Sequence, residues 1–519
     1  MLFNSYIFIF AFLPIIFLMY FLLAQYKGGE SAITLLVIAS LFFYGWWNPI
    51  YLLLIIFSIG INYFLGESIV HNIKASKKQQ TKFLLTSGIL FNIGLLGYFK
   101  YTNFIIFNAN AIFGLDIHIN QIILPLAISF FTFQQIAYLI DTYKGITQEF
   151  KFTHYALFVT FFPQLIAGPI VHHKEMLPQF MKIDNLKPQL ENVIIGLSIF
   201  AIGLFKKVVL ADGIAQYSTQ IFTAASTGET MSFFIAWGGA LTYTFQLYFD
   251  FSAYSDMAIG ISRIFGILLP LNFYSPYKSL NIIEFWRRWH MTLSRFLRDY
   301  VYFSLGGNRK GNFRRYINLL ITMLLGGLWH GAGGTFLLWG GMHGSYLLIN
   351  HWWRSVFKKG VQSNIGRSIA WVITMLSVVV AWVPFRAESM EGTMAFFRAM
   401  FGGNGLLRSH ISEGGIALAE VIGSSSISFG AMFNEGIVSG KGAAWILVLL
   451  LFVVWLPNTQ QIMRRYKPAL QIYKNEIKRM DYLWLEWRPL GLWAIFYSLV
   501  FMFAMFNLSS ASEFLYFQF

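Results

Sequence analysis

Residues 316 to 350 read YINLLITMLLGGLWHGAGGTFLLWGGMHGSYLLIN, an almost uncharged run that nevertheless holds two ionisable side chains, His330 and His343. An ionisable group at membrane depth is expensive, so by default it marks a functional site. Neutral imidazole is the form a general base requires. Glycines at 326, 327, 331, 333 and 334 surround His330, and they let backbones approach closely or leave room for a substrate passage. His330 is therefore the first candidate for proton transfer. His343, set in GGMHGS, reads as a histidine hydrogen-bonded within a helix bundle, or as a group supporting the first.

A second candidate stands in NIIEFWRRWHMTLSRFLRDY, residues 281 to 300. At helical spacing Ile282, Phe285, Trp289, Leu293, Phe296 and Tyr300 share an apolar stripe, while Glu284, Arg287, Arg288, Arg295, Arg298 and Asp299 take most of the remaining arc. Asn281 followed three residues on by Glu284 resembles a capping box. The pattern predicts one helix lying in the membrane interface, with His290 off the stripe and facing a cavity between protein and headgroups. The loop after it, Gly306 to Gly311, contains Arg309 and Lys310 and could cradle phosphate through backbone NH groups and point charges. Ordinary topogenic charge explains the loop more simply. Asp250 and Asp256, in YFDFSAYSDMAIG, also need partners in an apolar setting. One could orient a catalytic imidazole, or both could pair with Arg263 or the basic helix. His290, His330 and His343 could in principle converge on a metal, but no His/Asp/Glu cluster has ligand spacing, so none is expected. Without a cysteine the chain has no catalytic thiol, thiolate metal site or disulfide.

The elements that must hold these groups are membrane helices. Of the 519 residues 56% are hydrophobic and 12% charged, whereas soluble domains carry about 25% charged residues. Apolar stretches long enough to span a bilayer recur throughout, about eleven to thirteen of them. The fold class is thus all-α and polytopic, with interfacial amphipathic helices. The first stretch, about residues 5 to 26, lacks a basic leader region and cleavage site, so it is expected to be retained as an anchor. The formal charge of +15 falls in short clusters between apolar segments, which argues against nucleic acid. Lys74, Lys77, Lys78 and Lys82 place the loop after the third helix in the cytoplasm and the N-terminus outside. The clusters Arg287 to Arg315, Arg354 with Lys358, Lys359 and Arg367, and Arg464 to Arg479 are expected on the same side. No repeat or linker divides the chain. It reads as one integral membrane domain over 1–519, with the chemistry at about 121–350 and an exposed excursion at about 387–440 that has a short amphipathic part at Met394 to Met400.

Several segments together resemble a known family: SFFTFQQIAY at 129 to 138, FFPQLIAGPI at 161 to 170, FDFSAYSDMAIG at 249 to 260, FWRRWHMTLSRFLRDYVY at 285 to 302, LGGLWHGA at 325 to 332 and FLYFQF at 514 to 519. They are similar to the membrane-bound O-acyltransferases, and within these to the bacterial branch of alginate, cellulose and peptidoglycan O-acetylation. The resemblance implies a many-helix bundle with a central funnel and a tunnel through its thin middle. It implies that His330 is the catalytic histidine and His290 the second site position, one that is Asn or Asp in many eukaryotic members. It further implies acyl transfer from a cytoplasmic thioester, acetyl-CoA in this branch, to a hydroxyl presented from the other side, with no bound cofactor. His330 would take the hydroxyl proton, and His290 or the indole NH of Trp286 or Trp329 would support the oxyanion. Arg287, Arg288, Arg309 and Lys310 are the cations available to the donor. The setting implied is the inner membrane and its lipids, with an extracytoplasmic serine-hydrolase-like (SGNH-type) acetyltransferase as partner. Two alternatives are a D-alanyl exporter for teichoic acids, built on the same fold, and a proton-coupled transporter or flippase. The second lacks the inverted repeats such transporters show.

Overall fold

A computed structural model describes residues 1–147, 151–180, 182–357, 363–405, 440–470, 485–508 and 515. Most of the expected excursion at 387–440, together with Lys358, Lys359, Arg479 and nearly all of FLYFQF, lies outside the described residues.

The first half runs through α1 (Phe8–Lys27), α2 (Gly29–Gly45), α3 (Ile50–Lys74) and α4 (Lys78–Phe113), then α5 (Ile128–Tyr143), α6 (Phe152–Thr160), α7 (His173–Phe180), α8 (Leu190–Ser226) and α9 (Phe233–Ile264). The second half contains α10 (Ile282–Trp286), α11 (Met291–Phe296), α12 (Gly311–His330), α13 (Gly334–Val356), α14 (Asn364–Arg386), α15 (Met390–Met400), α16 (Gly440–Trp455) and α17 (Gly491–Phe506). Among the described residues five helices, α1, α3, α4, α8 and α14, are long and apolar enough to cross a membrane, and α2, α16 and α17 are shorter apolar helices. Helices apolar on all sides belong in a bilayer or a protein interior. The chain is a multi-pass, all-helical membrane protein.

Local signals set several helix starts. Ser232, Ser363 and Ser389 accept hydrogen bonds from the amides of Ile235, Gly366 and Gly392, satisfying donors that the first turn leaves over. Helices α12 and α13 form an antiparallel hairpin. A Cβ on Gly340 would stand 2.5 Å from the Met323 carbonyl oxygen, and one on Gly327 would strike the Phe336 carbonyl, so the two backbones approach to a distance only glycine allows. Apolar side chains gather in two cores. One is built mainly from α1 to α8 and the far end of α9; the other holds the middle of α9, α10, and parts of α12 to α16.

The segment from 281 to 302 departs from its pattern. It is two short helices, α10 and α11, separated at Arg287 to His290, and α11 runs into a π-helical turn, Leu297–Tyr302. The break has a backbone cause. The Tyr274 amide donates to the Arg288 carbonyl and the Met291 amide to the Asn272 carbonyl, each at 2.9 Å, which takes from a continuous helix two groups it would need. Trp286, Trp289, His290, Phe296 and Leu297 are buried, so the segment is interior rather than interfacial. The Asn281 cap is as expected, its side-chain oxygen 3.0 Å from the Glu284 amide. Glu284 reaches back one residue further than a capping box requires, accepting from Leu280. The amphipathic stretch at Met394 to Met400 lies within α15, which buries Phe396, Ala399 and Met400 in the second core.

Candidate active site

His330 is the last residue of α12, at the tip of the hairpin, where the final carbonyls of a helix have no partner of their own. Here they are supplied by a single turn of α4. Helix α4 contains a π-helical turn, Gly97–Tyr101, and from it the Tyr101 hydroxyl donates to the Leu328 carbonyl at 2.6 Å. The Lys100 ammonium donates to the carbonyls of Trp329 and His330 at 2.5 and 3.1 Å and to the Ser129 hydroxyl at 3.3 Å.

The imidazole of His330 is enclosed by ring edges: Trp329 at 4.9 Å, Phe385 at 5.0 Å and Trp339 at 5.1 Å between centroids. Among the described residues no hydrogen bond holds its ring nitrogens. His330 also lines a cavity of about 30 Å³, together with Lys100, Ser129, Ile166, Trp329 and the half-buried Leu124 and Ala127. One water needs about 10–15 Å³ measured in this way, so the space takes a hydroxyl-sized group.

His290 stands across from His330, ring centroids 6.2 Å apart. It caps α11 in the left-handed region, φ 42°, a conformation that costs a non-glycine residue about 1–3 kcal/mol and persists where the surroundings enforce it. Its Nδ1 is 3.1 Å from Asn272 Oδ1. That oxygen also accepts from the Thr292 hydroxyl at 2.9 Å, and the Asn272 amide nitrogen donates to Ser255 at 3.3 Å. Assigned from this network, the neutral ring carries its proton on Nδ1. His343 is buried and accepts at Nδ1 from the Trp286 indole at 3.3 Å, so its own proton sits on Nε2. Two buried donors next to the box, Trp339 Nε1 and His343 Nε2, meet no acceptor among the described residues.

Other residues singled out by sequence fall elsewhere. The Trp329 indole donates to the Ser129 carbonyl at 3.3 Å and that of Trp286 to His343 at 3.3 Å, so both are engaged in the resting protein. Arg287 is exposed and Arg288 pairs with Glu284 at 2.6 Å. Arg309 and Lys310 are exposed just before α12, and since α12 has 20 residues they lie about 30 Å from its His330 end. Among the described residues Asp250 and Asp256 meet neither a histidine nor Arg263. Asp250 binds Lys207 at 2.6 Å, an ammonium shared with Asp212; Asp256 binds Lys206 at 2.9 Å and accepts from Thr459 at 2.5 Å. The lysines come from a π-helical turn in α8, Lys206–Ala211, a partner the acids' own segment does not disclose. Among the described residues no three His, Asp or Glu side chains gather as a metal cluster.

The model of the membrane-bound O-acyltransferase family matches residues 146–383, a span that includes His290 and His330. The peptidoglycan O-acetyltransferase of Helicobacter pylori is 47% identical to this chain over 80% of its length and 82% of the relative's. The chain belongs to the membrane-bound O-acyltransferases. As a member it is an acyltransferase, and its similarity extends to the probable alginate O-acetylase AlgI of Pseudomonas putida, 38% identical over the whole of both chains. The teichoic acid D-alanyltransferase of Streptococcus thermophilus is 30% identical over 44% of this chain and 57% of that protein. Lys100, Tyr101 and Ser129, which hold the His330 turn, lie before the stretch that the family model matches.

Proposed function

We propose that this chain transfers an acetyl group from acetyl-CoA, presented on the cytoplasmic side of the inner membrane, to a hydroxyl presented from the other side, and so serves O-acetylation of a polysaccharide outside the membrane. The acetyl-transferring relatives support acetyl over D-alanyl, because they match over 80% or more of this chain and the D-alanyl relative over 44%. The reading rests on one observation: an imidazole buried among aromatic edges, with no hydrogen bond on its ring nitrogens among the described residues, belongs to a residue that lines a hydroxyl-sized cavity.

In this mechanism His330 accepts the hydroxyl proton while the oxygen attacks the thioester carbonyl; the C–O bond forms, the C–S bond breaks, and the proton passes to the departing thiolate. The oxyanion donor is Trp339 Nε1, which is buried against the imidazole and has no acceptor of its own among the described residues. His290, its Nδ1 held by Asn272 and its ring 6.2 Å from that of His330, shapes the site around the attacking hydroxyl. The acceptor hydroxyl belongs to, or is relayed by, an extracytoplasmic serine-hydrolase-like acetyltransferase.

The test uses membranes containing the full chain and [14C]acetyl-CoA, and follows free CoA and base-labile acetyl ester. Wild type is expected to produce both, and His330→Ala neither, although the variant elutes from detergent as the wild type does. Undiminished ester formation by His330→Ala, or none by the wild type, overturns the reading.

A further inference from the structure

We infer that Lys100 and Tyr101 form a clamp that positions His330 for the transfer, making Lys100 a positioning residue of the reaction; this rests on the reading of His330 as the base. A histidine that works as a base is normally oriented through its second ring nitrogen. His330 has no such hydrogen bond among the described residues, so its orientation depends on the backbone that carries it and on the rings around it.

That backbone is held from one place. Three consecutive carbonyls, those of Leu328, Trp329 and His330, receive donors from two consecutive residues of α4. An ammonium has three hydrogens, and Lys100 directs them at three oxygens, the third being Ser129 on α5. Its contacts therefore tie α4, α5 and the tip of α12 together at the cavity that Lys100, Ser129, Trp329 and His330 line. Among the described residues no carboxylate pairs with Lys100. Its charge faces the negative end of the α12 dipole, where a cation is favoured. The π-helical turn explains how adjacent residues reach adjacent carbonyls: the widened turn projects Lys100 and Tyr101 toward the same neighbour. A buried lysine is costly, and the sole return visible on its surroundings is the fixed end of α12.

Misplacing a reacting group by about 1 Å can cost about 100-fold in rate without loss of binding. In the same membranes, Lys100→Met is expected to lower kcat by about 100-fold while KM for acetyl-CoA changes by less than about threefold. Lys100→Arg, whose guanidinium can also donate to carbonyls, is expected to recover at least about a tenth of the wild-type kcat. Tyr101→Phe deletes one oxygen from a half-buried ring and is expected to fold and to lower kcat by about three- to tenfold. Wild-type kcat in Tyr101→Phe, or in a folded Lys100→Met, overturns the clamp while His330→Ala stays inactive, so that the proposed function survives. Loss in Lys100→Met expressed wholly in KM also overturns it. Should Lys100→Met not fold, the kcat of Tyr101→Phe decides alone. An active His330→Ala removes both proposals together.

Discussion

An indole NH buried without an acceptor costs about 1–3 kcal/mol, yet Trp339, packed against the imidazole of His330, has none among the described residues. A donor left waiting in the resting protein is what a developing oxyanion needs, since nothing must be reorganised when the charge appears. Trp339→Phe keeps the ring packing and deletes only the donor. It is expected to lower kcat by about 100- to 1,000-fold, with a thermal midpoint in detergent equal to or above that of the wild type; unchanged turnover would remove Trp339 from the mechanism. His330 was legible in the sequence because the cost of charge in an apolar run needs no tertiary information. Lys100, a lone lysine in LLGYFKYTNFI, meets the same criterion and could have been found by it. Asn272 and Trp339 could not, because an amide or an indole in an apolar stretch is ordinary until the fold shows what it touches or fails to touch.

Helical periodicity identified the 281 to 302 segment and misjudged how it is used. In 281 to 302 the stripe of apolar residues is real, but Trp286 and Met291 are buried off that stripe, and pairing with Asn272 and Tyr274 breaks the helix where the histidine sits. Long-range backbone bonds of that kind leave no trace in a helical pattern. The π-helical turns are similar: those in α4 and α8 carry Lys100, Lys206 and Lys207 inward, and a wheel drawn with regular spacing faces such residues the wrong way beyond the turn. What the pattern does disclose is the glycine-rich hairpin. Gly340 admits the Met323 carbonyl, so Gly340→Ala forces α12 away from α13. Overpacking of this sort costs about 1–3 kcal/mol. The variant is expected to lower the thermal midpoint and to lower turnover further than the stability loss accounts for, because His330 rides on α12 and Trp339 on α13; proportionate losses of both would show that the hairpin is scaffold alone.

Helices α12, α13 and α14 give the bundle a polarity. Arg314, Arg354 and Arg367 are exposed near one set of helix ends, while His330, Trp339 and Phe385 meet toward the other. Along α12 the two levels are separated by about 24 Å, sixteen residues at 1.5 Å each. A basic end in the cytoplasm would place the imidazole beyond the midplane, and in the proposed transfer that is closer to the hydroxyl's compartment, leaving the thioester the longer way to travel. The three helices α1 to α3 test the orientation independently, since they put the connection at residues 46–49 on the side of the N-terminus and the exposed lysine loop around Ser76 opposite it. The chain has no cysteine, so single replacements report without background. Asn48→Cys in intact spheroplasts is expected to react with a membrane-impermeant maleimide, and Ser76→Cys only after permeabilisation. The reverse pattern would turn the bundle over, bring His330 toward the cytoplasmic face, and require the hydroxyl rather than the thioester to make the longer passage.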